Sequence, residues 1–468
     1  MKKIQRKECL DYELILEWKE TLTREIRIDY AQDAAGTHHA VLQIAPDGVK
    51  MLVQTPDGEQ VLKHDPHVPD GKIIFTRRGN YARARYGSHE LWLQGGTGEW
   101  YGHYMTEEVV LTVEDRNDEL TGCTYSSLEW LRAPDAPVVS AGEDGTFYEQ
   151  QIIGGAVIEH EGIWYMYCMS GVKGTEEGAA ERVIGLCISS DLHHWTVHPE
   201  PLIASGLLGV KGENLYPNAC IRTEDGKFVL FFSAQAFPEW IGVYAMISDS
   251  PAGPFTLLSD KPVIPPLHGR AQHEFDLVKC DLPQGKYLIY LTTFTPGDGK
   301  RKTGDRGLLY FSDDLLHWHL DDDIGMFHPE TSDGWDCEHV RTRSLTRIGD
   351  TWYLWYEGVG HWRTPKSDYE THSAFVNHEW WDTIGLARSK DLRNWKYYPR
   401  NPCLVQQGRS ADRYDNRWVG WPRMVIADGK GYVFHSASGT KVHVGLRTIE
   451  IDRLTDWDNE GGFKENLL

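Results

Sequence analysis

The chain has 468 residues, of which 40% are hydrophobic and 12% aromatic, so it holds more apolar material than one ordinary compact domain needs. Its 69 acidic residues outnumber 48 Lys and Arg, and the formal net charge is −21. This charge excludes nucleic acid and anionic membranes as expected partners, and no apolar run is long enough to span a bilayer. A neutral small ligand is the expected partner.

The eight cysteines and the first residues bear on the compartment. The cysteines are scattered without C-x-x-C spacing, which is typical of reduced thiols rather than of a disulfide framework or a zinc site. Charged residues interrupt the opening sequence MKKIQRKECLDYELILEW, so it does not have the pattern of a signal peptide. We therefore expect a cytoplasmic protein.

Residues 1–130 are predicted to form short alternating strands. P-D-G turns at 46–48, 56–58 and 69–71 separate several of them. The predicted strands are 25–30, 40–44, 49–54, 72–76, 81–86, 90–93 and 109–113. This pattern predicts a jelly-roll-like β-sandwich. The sandwich is either a carbohydrate-binding module or a structural companion of the rest of the chain.

Residues 136–468 repeat one order of parts five times. Each unit has an opening with proline and apolar residues, a strand, a turn rich in Gly or Asp, and an aromatic strand. The openings are APVV (136–139), EPLI (200–203), KPVI (261–264), GMFHP (325–329) and NPCL (401–404). Four-stranded antiparallel units that follow one another at this spacing stack radially as propeller blades. The sequence therefore predicts an all-β chain in which a five-bladed β-propeller follows the sandwich.

The most recognisable string is S-x-D-x-x-x-W, present as SSDLHHW from Ser189, SDDLLHW from Ser312 and SKDLRNW from Ser389. We expect it between the third and fourth strands of a blade, with Ser and Asp accepting backbone N–H bonds and Trp packing on the sheet. A degenerate copy begins at Ser248, and the fifth unit is expected to lack one. The motif is interpreted as structural.

These features together resemble the five-bladed propeller glycoside hydrolases of families 43, 32, 68, 117 and 130. The resemblance covers roughly residues 136–455 and implies a site where the first strands of the blades begin. Glycoside hydrolysis needs one carboxylic acid and one carboxylate on opposite sides of the anomeric carbon. The stretch HEFDLVKCDLP loosely resembles the family 32 motif that carries the general acid, which implies that role for Glu274.

The other motifs of these families are altered. In families 43 and 32 the first-blade Asp-Pro motif carries the base or nucleophile. Here Gly154 and Gly155 replace it, so Glu149 is the substitute candidate for that role. The second-blade aspartate falls near Asn218, which suits a sugar hydroxyl. The fourth blade offers a competing set of catalytic candidates beside Trp335, namely Asp336, Glu338 and His339.

The predicted catalytic residues are therefore Glu149, Glu274, Asp276, Asp336 and Glu338. The predicted substrate-binding residues are Asn218, His273, Trp335, His339, Arg341, Trp421 and Arg423. For each carboxylate, the alternative is an ion pair with Arg341, Arg343 or Arg423, or a buried turn cap. The same arginines also suit a substrate carboxylate, such as a uronic acid end.

We expect a glycosidase that acts on the end of a small oligosaccharide. The alternatives are a glycoside phosphorylase or fructosyl transferase on the same fold, and a sugar-binding propeller without catalysis. No cofactor or metal signature is found, although the resemblance leaves a structural calcium on the axis open. Assembly into a homo-oligomer is also left open.

Overall fold

The computed structural model describes residues 2–6, 11–19, 21–32, 37–79, 81–94, 110–128, 136–171, 182–236, 239–266, 271–294, 306–321, 327, 330, 335–336, 339–359, 382–406, 414–415, 418–439, 441–457 and 464–468. The chain divides into two compact units. The first comprises residues 1–133, 404–418 and 452–468, and the second comprises residues 134–403 and 419–451.

The elements described are almost all strands. Those of the amino-terminal part are β1 (Lys2–Arg6), β2 (Tyr12–Trp18), β3 (Ile26–Gln32), β4 (His39–Ala45), β5 (Gly48–Thr55), β6 (Gly58–Asp65), β7 (Lys72–Arg78), β8 (Tyr81–Tyr86), β9 (His89–Gln94), β10 (Leu111–Asp115) and β11 (Leu120–Ser127). The next are β12 (Gln151–His160), β13 (Ile163–Gly171), β14 (Arg182–Ser189), β15 (Thr196–Val197), β16 (Glu213–Arg222), β17 (Phe228–Ala236), β18 (Glu239–Ser248), β19 (Thr256–Leu257), β20 (Ala271–Leu282), β21 (Gly285–Phe294), β22 (Arg306–Ser312) and β23 (His319–Leu320). The last are β24 (His339–Ile348), β25 (Thr351–Val359), β26 (Asp382–Ser389), β27 (Lys396–Tyr397), β28 (Trp418–Ala427), β29 (Lys430–Ser438), β30 (Val442–Glu450), the short helix α1 (Ile451–Thr455) and β31 (Lys464–Asn466).

The first unit is a β-sandwich of two six-stranded sheets, which confirms the predicted class. The strand orders are β1-β10-β3-β4-β5-β6 and β31-β11-β2-β7-β8-β9. In β2 the alternate residues Tyr12, Leu14, Leu16 and Trp18 are buried, and the apolar side chains of both sheets form one buried cluster. Tyr30 of one sheet lies 4.9 Å from Phe75 of the other, measured between ring centroids. The last strand, β31, pairs with β11 and so belongs to the sandwich.

The second unit is the five-bladed propeller. Four blades have four antiparallel strands each, namely β12 to β15, β16 to β19, β20 to β23 and β24 to β27. The fifth contains β28, β29 and β30, and its outer position is filled from the start of the unit, where Val139 pairs with Val444. Both valine N–H groups of residues 138 and 139 donate to the Val444 carbonyl oxygen, at 2.8 and 3.2 Å. The ring is therefore closed by backbone pairing between its first and last segments.

This closure corrects the assignment of the proline openings. Each opening was expected at the start of a blade, but Ile203 pairs with Ile184 of β14 and Ile264 with Val243 of β18. The third strand of a blade thus pairs first with the short outer strand and then with the opening that follows it. The openings at 136–139, 200–203, 261–264 and 401–404 therefore complete the blade that precedes them in the ring, while the one at 325–329 lies outside the described residues except for Phe327.

The S-x-D-x-x-x-W copies are turns, as predicted. In the first copy, Ser189 Oγ accepts N–H bonds from Asp191 and Leu192, and an Asp191 oxygen accepts two more from residues 193 and 194. The leucine has a positive φ of 66°, and its carbonyl oxygen accepts the Trp195 indole N–H at 2.8 Å. These bonds hold the leucine in a left-handed conformation that bulky residues rarely adopt.

A partial fifth copy exists, which was not expected from the sequence. Trp457 donates its indole N–H to the Leu454 carbonyl oxygen at 2.8 Å, the same contact that the tryptophans of the three full copies make. Helix α1 places an extra residue between Asp452 and this tryptophan, and that insertion hides the spacing.

Candidate active site

A group of buried side chains from four blades meets near the start of the inner strands. We call it the central cluster, and its members are Tyr216 (β16), Glu274 (β20), Arg343 (β24), Glu357 (β25) and Trp421 (β28). Each is at most 5% exposed. A propeller brings the beginnings of its first strands together around the axis, so residues far apart in sequence become neighbours here.

Glu274 and Arg343 form the polar core of the cluster. Arg343 Nη2 and Glu274 Oε1 form an ion pair. The guanidinium carbon of Arg343 lies 3.6 Å from the centroid of the Trp421 ring, which is cation–π geometry. The Tyr216 ring lies 6.4 Å from the same indole. Arg343 thus connects Glu274, predicted as the general acid, to Trp421, predicted to bind the substrate.

The charges of the cluster are coupled. Burial lowers the pKa of Arg343 to about 10, while Glu274 and Glu357 act in the opposite direction. Arg343 is therefore still cationic near neutral pH, and its positive charge lies beside the Glu274 carboxylate. Burial raises the pKa of Tyr216, and the nearby Arg182 acts to lower it.

Glu357 is a member that was not predicted from the sequence. It is fully buried, and its Oε1 accepts a hydrogen bond from Arg341 Nη1. Its Oε2 accepts the backbone N–H of Trp421 at 2.8 Å. The signal was present, because Glu357 is an acid inside the otherwise apolar and aromatic strand TWYLWYEG, where burial requires a partner.

The first and second blades supply polar and aromatic groups around Tyr216, and sequence reasoning missed these groups apart from Asn218. The Tyr216 hydroxyl accepts a hydrogen bond from Arg182 and donates one to Gln235 Oε1 at 3.1 Å. Arg182 in turn donates its backbone N–H to Asn214 Oδ1 at 3.1 Å. The Trp240 ring, half-buried, lies 4.9 Å from that of Tyr216. Aromatic faces next to amide groups are suited to sugar rings.

Two residues further along the inner strands, Asp276 and Arg423 form a second ion pair, which we call the axial pair. Arg423 Nη1 lies 2.5 Å from Asp276 Oδ1, and Nη2 donates to the carbonyl oxygens of Asn218 and Phe275 at 2.6 and 3.3 Å. Asp276 also accepts the Leu345 N–H at 2.8 Å. The axial pair therefore connects blades two, three, four and five. Burial raises the pKa of Asp276, although Arg423 acts to lower it.

The Asn218 side chain is held by contacts within the protein. Its amide group donates to the Tyr216 carbonyl oxygen at 2.9 Å and to Ser233 Oγ at 3.2 Å, and its side chain is buried. Both contacts are within the second blade.

Glu149 lies in a loop before β12 and is half-buried. Its carboxylate accepts the Gly145 N–H at 2.6 Å, four residues earlier in the same loop. Its backbone N–H donates to the Thr146 carbonyl oxygen. The structure therefore shows a turn-closing role for Glu149 and does not bring it into contact with Glu274.

Of the fourth-blade candidates, the structure describes the side chains of Asp336 and Trp335 but not those of Glu338 and His339. Asp336 is fully buried, accepts the Glu330 N–H at 2.7 Å and lies 3.4 Å from the Tyr356 hydroxyl. Trp335 is also fully buried and packs on the Tyr356 ring at 5.5 Å. Both contacts are structural. Glu338 lies outside the described residues, as do the side chains of His273 and His339.

Backbone crowding excludes a side chain at one of the two glycines that replace the first-blade motif. A Cβ atom at Gly155 would overlap the carbonyl oxygen of Pro217 and lie 2.7 Å from that of Tyr167. A Cβ at Gly154 would be 3.4 Å from its nearest neighbour, which is ordinary contact. Only glycine fits at Gly155, so an aspartate there would displace the second blade.

The three arginines expected to suit a substrate carboxylate are already paired with carboxylates of the protein itself. Arg341, Arg343 and Arg423 each pair with a carboxylate, respectively Glu357, Glu274 and Asp276. In the described part of the chain, no three His, Cys, Asp or Glu side chains are grouped as a metal site would require. Within the same residues, no helix has the length and hydropathy to cross a membrane.

Comparisons with known proteins confirm the fold. No family model matches the chain, and no curated protein matches it. The solved structure of a complex of BT0996 with RGII is 13% identical, with a TM-score of 0.52, and the match covers 69% of this protein and 93% of that one. A second structure, described as a glycoside hydrolase, is 14% identical with a TM-score of 0.51 and covers 68% and 92%. The chain thus has the five-bladed propeller fold found in glycoside hydrolases.

Proposed function

We propose that the protein is a glycoside hydrolase that acts on the end of a small oligosaccharide. The observation that carries this proposal is the central cluster, in which Glu274 is held by Arg343 and Trp421 where the inner strands begin. The likeness in fold to a solved glycoside hydrolase supports it. A neutral sugar also agrees with the net charge of −21.

The contacts of Glu274 favour a different role from the one that the resemblance implies. Because Arg343 stabilises the ionised carboxylate, Glu274 is better suited to act as base or nucleophile than as the acid. The acid must then come from elsewhere. Asp336 is fully buried and Asp276 belongs to the axial pair. The candidates that we propose are therefore Glu338 and Glu149, which is half-buried although its carboxylate also closes a turn.

A panel of aryl glycosides and short oligosaccharides tests the proposal, with release of a reducing sugar as the readout. We expect Glu274→Gln to lose turnover by about three orders of magnitude or more, as removal of an essential catalytic group does. Glu450→Gln is the matched control, because Glu450 is 57% exposed on β30 and pairs with Lys430. If no glycoside in the panel is cleaved, or if Glu274→Gln retains full activity, the proposal fails.

A glycoside phosphorylase is the second candidate. Arg182 contacts the Tyr216 hydroxyl of the central cluster, and a guanidinium group suits phosphate. Release of sugar that requires inorganic phosphate and yields a sugar phosphate would favour this activity over hydrolysis. Binding of an oligosaccharide without turnover would instead indicate a sugar-binding propeller, an interpretation that the missing first-blade carboxylate supports.

We also propose a cytoplasmic location. Six cysteines of the described residues are free thiols, which supports a reducing compartment. Fractionation of cells that produce the native chain tests this, and recovery with secreted protein would contradict it.

A further inference from the structure

We propose that Glu357 is a positioning residue that sets the orientation of Glu274 through Trp421 and Arg343. The inference rests on the proposed function, because it assigns Glu357 a part in the work of Glu274. It explains why a fully buried carboxylate lies in an aromatic strand of the fourth blade.

The first link joins Glu357 to the backbone of Trp421. Trp421 has a φ of +55°, a conformation that a bulky side chain rarely adopts unless its surroundings hold it. The Trp421 N–H donates to Glu357 Oε2 at 2.8 Å. This bond crosses from the second strand of blade four to the first strand of blade five. Glu357 therefore fixes the backbone position from which the Trp421 indole projects.

The second link joins the indole to Glu274. The Trp421 ring lies under the Arg343 guanidinium, 3.6 Å from ring centroid to the guanidinium carbon. A guanidinium stacked in this way has a fixed plane, and its Nη2 is paired with Glu274. If the indole moves, Arg343 loses the surface that orients it, and the carboxylate of Glu274 loses its fixed partner.

Glu357 itself does not reach a substrate. Both of its carboxylate oxygens are held within the protein, since Oε1 accepts from Arg341 and Oε2 accepts from the Trp421 N–H. Its effect on catalysis must therefore pass through the residues that it holds, which distinguishes it from a second catalytic carboxylate.

Kinetics on the best glycoside test the relay. We expect Glu357→Ala to lower kcat about 100-fold with KM changed less than about threefold, since small misplacements of a reacting group have effects of this size. Glu357→Gln keeps an oxygen for the Trp421 N–H and should recover most of the rate. In a Trp421→Ala background, adding Glu357→Ala should cost less than about threefold, because the link is already broken.

The pH profile gives a readout that a merely structural role would not move. Loss of a well-placed Arg343 weakens the preference for ionised Glu274, so the acidic limb of kcat/KM should shift to higher pH in Glu357→Ala. Glu13→Ala, which removes a buried glutamate from the sandwich, is the control and should shift neither kcat nor the limb. Equal losses in both backgrounds with an unmoved limb would overturn the proposal.

Crystal structures of the wild type and Glu357→Ala separate this inference from the proposed function. If the chain cleaves no glycoside, the proposed function fails, and the relay is judged by structure alone. Departure of Trp421 from its left-handed conformation, with Arg343 no longer stacked, supports the relay. An unchanged Trp421 and Arg343 in the variant overturns it.

Discussion

Replacing Arg423 by Met should destabilise the propeller, because it removes a cation that connects four blades. The substitution removes the axial cation and its bonds to Asp276, Asn218 and Phe275, at 2.5, 2.6 and 3.3 Å. The methionine fills part of the space, so the loss is mainly electrostatic. It leaves the carboxylate of Asp276, whose side chain is 12% exposed, without its cation.

The size of the loss in the free energy of unfolding depends on the Asp276 carboxylate, which the substitution leaves without its cation. Hydrogen bonds to charged groups contribute about 1.5–3 kcal/mol each, and breaking one side of a buried ion pair costs about 3–5 kcal/mol. We expect the free energy of unfolding to fall by about 3–5 kcal/mol in Arg423→Met. Adding Asp276→Asn should restore part of it, because the second substitution removes the uncompensated charge.

Urea unfolding of the full chain measures these values, and hydrogen exchange in β20 and β28 assigns the loss to the propeller. Arg347→Met is the control, because this exposed arginine of β24 should change the free energy by only about 0.5 kcal/mol. A loss under about 1 kcal/mol in Arg423→Met would refute the reasoning. A double variant as unstable as the sum of both single variants would also refute it.

Two further predictions concern blades one and five. Gly155→Ala should lower the free energy of unfolding by about 1–3 kcal/mol or more through overlap with Pro217, whereas Gly154→Ala should be tolerated; equal effects in urea would contradict the crowding argument. Burial lowers the pKa of His435 and of His443 to about 4, so the unfolded chain, with an ordinary pKa near 6.5, binds protons that the fold excludes. Stability should thus be full above about pH 6.5 and fall toward about pH 4, and His435→Leu with His443→Gln should flatten this slope; an unchanged slope would contradict it.

Much of the fold could be predicted from sequence because propeller blades repeat. The S-x-D-x-x-x-W turn uses only bonds within a few residues, so its structure can be inferred from the string itself. The ring closure could not be inferred in this way. It pairs Val139 with Val444, which is far away in the chain, and no local pattern records such a pairing.

The candidate site was predictable only in part. Glu274 and Trp421 were found because they stand at the starts of inner strands, where a pocket is expected. Glu357 was missed because it lies on a second strand and reaches the centre from the side. The crowding of acids at one blade entry also pointed to Asp336 as a candidate, and only its buried contacts show it as a turn cap.

The most direct test of the central claim is kcat for the wild type and Glu274→Gln on two glycosides of the same sugar, one with an activated aryl leaving group and one without. If Glu274 acts as base or nucleophile, the variant loses about three orders of magnitude or more on both substrates, since neither leaving group replaces that carboxylate. A loss confined to the unactivated glycoside would make Glu274 the acid. Full activity on both substrates would contradict the account.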